Sequence, residues 1–262
     1  MPTTSTPTPT TEAPAARADI DLGALRHNLV VARERAPGRR VMAVVKSLAY
    51  GHGLLPVARA LADAADALAV ARCEEGAALR EAGIQTPLVV LEGFSSQAEL
   101  GLARQHRLLP VLHDPHQLAL LREATDPAPL PCWVKFDTGM HRLGFDWREA
   151  DRVLAQLRAM PQLRIQGLMT HLANADDTAD HTTAEQLRRL AAVPRDGLPL
   201  SVANSAGILG WPDSHADWVR PGLMLYGASP LQGRSAGYAL AIEAIIKSLG
   251  PMILPWALKS AR

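Results

Sequence analysis

From about residue 40 onward, the chain alternates short apolar runs with longer segments of helical periodicity that are rich in Ala, Leu, Arg and Glu. The apolar runs predict strands at residues 41–46, 67–71, 88–91, 109–113, 132–136, 166–171, 200–203 and 224–226. The periodic segments predict helices at residues 54–65, 74–82, 97–105, 117–123, 148–160 and 184–192. Eight strands with intervening helices favour an α/β fold, namely a closed (β/α)8 barrel of the TIM type. A doubly wound open sheet gives the same alternation, so the pattern alone does not decide between them.

The region before this alternation has two parts. Residues 1–17 are rich in Thr, Pro and Ala and contain no apolar signal-peptide core, so they predict a disordered tail. Residues 19–22 are strand-like, and residues 23–35 predict a helix with Leu25, Leu29 and Ala32 on one face.

The composition argues against several classes of partner. A formal net charge of +1 over 262 residues gives no electrostatic reason to expect nucleic acid or an acidic membrane. The most apolar stretch, residues 239–258, is interrupted by Glu243, Lys247, Pro251 and Pro255, which argues against a transmembrane helix. With only two cysteines, the sequence predicts a soluble protein of a reducing, cytoplasmic compartment.

Lys46 ends the first predicted strand, in the run VVKSLAYGHG, and reactive residues of a barrel gather at the carboxyl ends of its strands. A buried lysine with a lowered pKa is the group that forms a Schiff base. The alternative is a lysine whose ammonium group reaches out to water at the barrel rim. The following residues 49–53 favour the reactive interpretation, because two glycines next to Tyr50 form a loop whose backbone a phosphate can approach.

Further candidates follow later strands. His171 ends the sixth predicted strand, where a hydrogen-bonded core histidine is the alternative to a functional one. Asn204 and Ser205 follow the seventh strand, where they can cap a helix or hold a phosphate. Arg220 and Gly222 lead into the predicted eighth strand, near the usual phosphate site of barrels.

The loop after the fifth predicted strand carries Arg142, which can bind a carboxylate through two hydrogen bonds, although a surface arginine is equally consistent with its position. Lys135 lies one residue inside the end of the same strand. No Cys/His cluster has the spacing of a zinc site, and no phosphate-binding Walker loop is present, so no metal is predicted.

Together, five motifs in this order resemble the alanine racemase family: VVKSLAYGHG, VKFDTGMHRLGF, GLMTHLANAD, SVANSAGIL and WVRPGLMLYG. The resemblance covers residues 18–231 and implies a barrel that binds pyridoxal 5'-phosphate (PLP). It implies a homodimer that interconverts L- and D-alanine and supplies D-alanine for peptidoglycan.

The resemblance also implies roles for individual residues. Lys46 holds PLP as a Schiff base and moves the α-proton on one face of the substrate. Arg142 binds substrate, and Lys135, which is carbamylated in many family members, supports that arginine. The remaining cofactor-binding residues are Tyr50 and Ser205 with Asn204, Gly222 and Leu223 around the phosphate, His171 against the pyridine ring, and Arg220 at the pyridine nitrogen.

The sequence departs from the family at two places. Ser47-Leu48 stands where the family usually has Ala followed by Asp or Asn, which changes the loop next to Lys46. The family also continues into a mostly β domain that donates a catalytic tyrosine to the partner subunit. Residues 232–262 resemble only the start of that domain, so the 262-residue chain is expected to racemise alanine weakly.

Two alternative functions stay open at this point. One is a single-barrel PLP-binding protein of PLP homeostasis, and the other is a racemase for another amino acid. The motifs HRLGF and WVRPGLMLYG favour the racemase branch of the family.

Overall fold

The computed structural model describes residues 16–231 and 242–246. Its strands are β1 (Ala16–Ile20), β2 (Arg40–Val44), β3 (Ala67–Val70), β4 (Leu88–Val90), β5 (Leu109–Leu112), β6 (Leu130–Asp137), β7 (Phe145–Asp146), β8 (Leu163–Met169), β9 (Leu200–Ser201), β10 (Trp218–Val219) and β11 (Ile242–Ile246). Its α-helical segments are α1 (Leu22–Arg35), α2 (Lys46–Tyr50), α3 (Leu54–Leu61), α4 (Cys73–Glu81), α5 (Gln97–Gln105), α6 (Pro115–Glu123), α7 (Ala150–Arg158), α8 (Thr182–Ala191) and α9 (Ser205–Gly210).

Eight of these strands form a closed parallel barrel. Each is hydrogen-bonded to the next in the order β2, β3, β4, β5, β6, β8, β9 and β10, and β10 returns to pair with β2. The closed barrel predicted from the sequence is therefore confirmed. The short strand β7, which was not predicted, pairs in parallel with the carboxyl end of β6 at Phe136 and Asp137.

The predicted eighth strand at residues 224–226 is wrong. The chain forms a 3-10 turn at Leu223–Tyr226, and the eighth barrel strand is β10, which lies before Arg220 rather than after it. The apolar run is buried for another reason: the carbonyl of Leu225 accepts from the Asn28 side chain of α1, and the Tyr226 hydroxyl donates to the carbonyl of Val44. Burial gives a short turn the same apolar signature as a strand.

Strand β1 begins inside the segment predicted as a tail. Ala16 and Arg17, which were assigned to the tail, begin β1, whereas residues 1–15 lie outside the described residues. Strand β1 pairs antiparallel with β11, with Ala16 opposite Ile246 and Ile20 opposite Ile242. Apart from β11, the segment 232–262 also lies outside the described residues.

The barrel interior is a small apolar core below the carboxyl ends of the strands. It is built from Met42, Val44, Ala67, Ala69, Val89, Val111, Trp133, Met169 and Trp218. The Trp133 and Trp218 rings meet edge to face, with centroids 5.9 Å apart. A larger apolar layer fills the space between the strands and the surrounding helices. This packing closes the barrel floor and leaves the opposite end for polar side chains.

No helix among residues 16–231 and 242–246 is both long and apolar enough to cross a membrane.

The large Trp133 ring packs directly against Gly167 of β8 and leaves no room there for a side chain. A Cβ atom at Gly167 would collide with the Trp133 ring and lie 2.7 Å from the carbonyl oxygen of Pro199. Gly167→Ala is therefore expected to lower the free energy of unfolding by about 1–3 kcal/mol, as measured by urea denaturation. Gly101→Ala in α5 is the control, because its Cβ meets nothing within 4 Å and should stabilise the helix by roughly 0.5–1 kcal/mol. Equal effects of the two substitutions would contradict this account of the core.

Candidate active site

A cavity of about 450 Å³ opens at the carboxyl ends of the barrel strands. All ten site residues predicted from the sequence line it: Lys46, Tyr50, Lys135, Arg142, His171, Asn204, Ser205, Arg220, Gly222 and Leu223. Residues far apart in the chain therefore converge on one site, as the barrel fold requires of loops that follow parallel strands.

Lys46 opens the left-handed turn α2, two residues beyond the end of β2. Ser47, Leu48, Ala49 and Tyr50 all have φ angles between 54° and 56°, a conformation that costs L-residues roughly 1–2 kcal/mol each. Gly51 and Gly53 continue the loop with φ angles of 86° and 91°, which glycine adopts without strain. The chain thus bends sharply away after Lys46, which faces the cavity.

An aromatic cluster packs behind this turn. The centroid of the Tyr226 ring lies 4.8 Å from that of Tyr50 and 4.7 Å from that of His52. Nδ1 of His52 is 3.1 Å from the carbonyl oxygens of both Ala49 and Tyr50. The 3-10 turn at Leu223–Tyr226, which the sequence predicted as a strand, therefore supports the loop that presents Lys46.

Four cationic side chains share the cavity. Burial lowers the pKa of Lys46, and the neighbouring Arg142 lowers it further, while Glu92 and Glu75 act in the opposite direction. Burial, together with Arg220 and Arg142, lowers the pKa of Lys135 to about 8. Both lysines therefore have a larger neutral, nucleophilic fraction at neutral pH than free lysine has.

Arg220 is the most deeply buried of these cations, with 4% of its surface exposed. Its guanidinium donates to Ser201 Oγ at 2.6 Å, to the carbonyl of Thr170 at 2.6 Å and to the carbonyl of Val202 at 3.1 Å. Burial lowers its pKa to about 10, so it stays protonated at neutral pH. These acceptors are neutral groups at the ends of β8 and β9, so its positive charge persists at the cavity floor.

His171 lies next to this arginine. Its Nδ1 is 3.4 Å from Nη2 of Arg220, and because arginine only donates, Nδ1 is the accepting nitrogen. Burial lowers the pKa of His171 well below its ordinary value, and the nearby cations Arg220, Lys135 and Arg142 lower it further. The ring is therefore neutral at physiological pH.

Asn204 and Ser205 begin α9 at one side of the cavity. The Asn204 side chain accepts from the amide of Gly207 and caps the helix, as the sequence allowed. Ser205 Oγ accepts from the amides of Gly222 and Met224 at 2.9 and 3.2 Å. A Cβ at Gly222 would lie 2.8 Å from the Tyr50 hydroxyl, so glycine is needed where these two loops meet.

The loop that carries Arg142 is organised by Asp137. One carboxylate oxygen of Asp137 accepts from the amides of Gly139, Met140 and His141. Arg142 itself follows His141 and faces the cavity. The arginine is therefore presented by a hydrogen-bonded loop rather than by a free surface segment.

Comparisons with known proteins agree with this geometry. Residues 20–230 match the sequence family described as alanine racemase, N-terminal domain. The alanine racemase of Nitrosococcus oceani is 49% identical over 231 residues, which are 88% of this chain and 64% of that protein. The alanine racemase of Thioalkalivibrio sulfidiphilus is 51% identical over 243 residues, 91% of this chain and 67% of that protein.

The chain belongs to the alanine racemase family.

Solved structures of alanine racemases have the same barrel. The biosynthetic alanine racemase of Pseudomonas aeruginosa superposes with a TM-score of 0.81 at 41% identity, over 87% of this chain and 64% of that one. The enzyme of Bartonella henselae, whose structure contains covalently bound pyridoxal phosphate, gives a TM-score of 0.76 at 28% identity, over 87% and 68%. The chain thus spans about two thirds of the length of these alanine racemases.

Among the residues that the sequence did not predict, Glu75 and Gln186 support the site from outside the cavity lining. Glu75 accepts from the amide of Leu48, and the buried Gln186 donates to the carbonyl of His171 and accepts from the amide of Ala173. Glu75 had a sequence signal, because a glutamate in the first turn of a helix is a capping position. Gln186 had none, since its role depends on contacts across 13 and 15 positions of the chain.

Leu48 departs from the alanine racemase pattern, and the structure places it at a strained position with 62% of its surface exposed. Leu48→Asn is expected to raise the free energy of unfolding by about 1 kcal/mol, because asparagine adopts the left-handed conformation more readily. The measurement is urea denaturation. Val30→Asn is the control, since Val30 is also exposed but lies in the right-handed helix α1, where asparagine should give no gain. A similar increase in the free energy of unfolding in both variants would contradict the strain assigned to Leu48.

Proposed function

We propose that the cavity is the PLP site of an alanine racemase and that Lys46 is its cofactor lysine. The observation that carries this proposal is the convergence of a half-buried lysine of lowered pKa with three further cations on one cavity at the carboxyl end of a barrel. A cofactor that bears an aldehyde and a phosphate requires a neutral amine and a positively charged, hydrogen-bonding surround.

The residues of the cavity fit this group. Ser205 keeps a hydroxyl hydrogen for an acceptor such as phosphate, since the two amides that bond to it use its oxygen. Gly222 leaves open the space beside the Tyr50 hydroxyl, which a Cβ atom would fill. Tyr50, Ser205, Gly222, Leu223 and Asn204 are therefore the proposed phosphate-binding residues.

When bound, PLP supplies an electron sink that eases removal of the α-proton of an amino acid. Nζ of Lys46 is the group that takes or returns that proton on one face. The Arg220 guanidinium would oppose protonation of a pyridine nitrogen held beside it, which would favour return of the proton to the α-carbon over transamination. Neutral His171 would offer a flat surface to the cofactor ring, and Arg142 would bind the substrate carboxylate.

Racemisation needs a second acid/base on the opposite face of the α-carbon, and such help contributes roughly 10²- to 10⁴-fold to the rate. In the proposed enzyme this group is the tyrosine that the family donates from the β domain of the partner subunit. The proposal thus includes a homodimer, alanine as the substrate and D-alanine for peptidoglycan as the product's use. The named relatives support alanine, and two buried free cysteines support a reducing, cytoplasmic compartment.

The other functions considered from the sequence are a PLP-homeostasis barrel and a racemase of another amino acid. The match to alanine racemases at 49% and 51% identity favours racemisation of alanine over both.

The decisive experiment is borohydride reduction of the protein after incubation with PLP, followed by peptide mass analysis. We expect the label on the peptide that contains Lys46. Lys46→Ala is the matched variant and should lose the label, while Lys135→Met should keep it. A label on another lysine, or none, would refute the cofactor assignment.

A coupled assay for D-alanine then separates the functions. D-alanine formation that is lost in Lys46→Ala supports a racemase. Labelled Lys46 with no turnover of alanine or of other amino acids, even in a version extended with the β domain of an alanine racemase, would instead indicate a PLP-binding protein.

Lys135 is expected to take up carbon dioxide in a pH-dependent way. Its pKa of about 8 means that the amine is mainly protonated below that pH and mainly neutral above it. Only the neutral amine adds to carbon dioxide, forming a carbamate and releasing a proton, so carbamate should increase between about pH 7 and pH 9. Carbon-13 NMR with labelled bicarbonate measures this, with Lys135→Met as the control. A signal that persists in Lys135→Met would contradict the assignment.

A further inference from the structure

The left-handed turn α2 holds a run of residues in a backbone conformation that is strained for L-amino acids. Four consecutive residues without a glycine, Ser47 to Tyr50, hold positive φ angles. Left-handed segments of L-residues normally occur one residue at a time. Such a conformation persists only where the surrounding structure fixes it from outside the segment.

Glu75 supplies one such external contact. It lies in the first turn of α4, a separate barrel helix, and its Oε1 accepts from the amide of Leu48 at 3.1 Å. Its other oxygen, Oε2, accepts from the amides of Ala71 and Arg72 at 2.8 and 3.4 Å. One carboxylate therefore joins the loop after β3 to the middle of the lysine turn.

The two carboxylate oxygens of Glu75 have different structural roles. The Oε2 contacts cap the start of α4 by accepting from the amides of Ala71 and of the N-cap residue Arg72, which is an ordinary structural role. The Oε1 contact fixes the backbone at Leu48, which is an exposed residue two positions beyond Lys46. A hydrogen bond from an amide to a carboxylate is stronger than one to a neutral acceptor.

We infer that Glu75 is a positioning residue for Lys46: its carboxylate holds the strained turn in the one conformation that presents the lysine to the cavity. Glu75 touches neither substrate nor cofactor in this account and acts through the backbone of Leu48. The inference rests on the proposed function for the identity of the cofactor, whereas the contact with the turn does not depend on it.

Glutamine at position 75 separates the two roles. Its single carbonyl oxygen can still accept from the amides of Ala71 and Arg72 and so keep the start of α4 capped. Its NH₂ group then faces the Leu48 amide, and two donors cannot bond to each other. Glu75→Gln should therefore release the turn and leave the helix capped.

Glu99 provides a matched control. It occupies the corresponding first-turn position of the next barrel helix, α5, and its carboxylate accepts from the backbone and hydroxyl of Ser95. None of these contacts involves the lysine turn. Glu99→Gln thus makes the same chemical change at an equivalent cap.

The first measurement is amide hydrogen exchange by NMR on the cofactor-free protein. In Glu75→Gln, the amide of Leu48 should exchange about tenfold faster than in the parent chain, whereas in Glu99→Gln it should not change. The second measurement is PLP titration, in which Glu75→Gln should weaken binding by about tenfold and Glu99→Gln by less than about twofold.

A rescue variant tests the strain directly. If the Glu75 contact offsets the energetic cost of the left-handed conformation at Leu48, then Leu48→Asn should restore most of the PLP affinity that Glu75→Gln loses. The same Leu48→Asn change in the parent chain should alter PLP affinity by less than about threefold, because there the turn is already held. A residue that only stabilised α4 would not be rescued from position 48.

An unchanged Leu48 exchange rate in Glu75→Gln would overturn the inference, and so would equal losses of PLP affinity in the two glutamine variants. Should Glu75→Gln fail to fold, Glu75→Asp is measured in the same way, because the shorter side chain keeps the charge but withdraws from Leu48. Failure of the parent chain to bind PLP at Lys46 would refute the proposed function. The exchange measurement, made without cofactor, would still decide whether Glu75 holds the turn.

Discussion

The positive charge of Arg220, buried at the carboxyl end of the barrel, is the constraint on which the rest of the site depends. Removing a guanidinium from water is costly unless hydrogen bonds replace its hydration. Here the replacement comes from Ser201 and from the carbonyls of Thr170 and Val202, so the arginine can be buried only when β8 and β9 end side by side. The closed barrel is what brings those ends together, and the charge in turn adds to the effect of burial in lowering the pKa of its neighbours.

The charge of Arg220 lowers the pKa of two neighbouring side chains, His171 and Lys135. Arg220 is the first charged neighbour that lowers the pKa of His171, and it acts the same way on Lys135, in both cases after burial itself. A histidine next to a permanent cation stays neutral and accepts a hydrogen bond, and a lysine there loses its proton near pH 8. At neutral pH the site thus combines a strong positive potential with a histidine that is itself uncharged, a combination suited to binding anions without protonating them.

The sequence predicted the barrel and the membership of the cavity because both depend on local patterns. Seven of the eight strands follow from apolar runs between helical segments, and residues at strand ends must face the same end of a barrel. The eighth strand was misplaced because residues 224–226 are buried by contacts with Asn28 and Val44, which lie almost 200 positions away. Gln186 escaped prediction for the same reason, since a buried glutamine carries no sign of the loops that it joins. The left-handed turn was also invisible, because Ser47 and Leu48 are not residues that favour it.

That last mismatch has a physical consequence. A flexible glycine-rich loop would adopt the same turn at no steric cost, but it would also sample many others, and the lysine would face the cavity for only part of the time. Residues with side chains restrict those alternatives, provided that the left-handed state is stabilised from outside. Glu75, His52 and Tyr226 provide that support from α4, from the end of the turn and from the 3-10 segment after β10. These contacts hold the strained turn in one conformation, and Lys46 therefore has a single orientation. That orientation depends on tertiary contacts that form only when the barrel is closed.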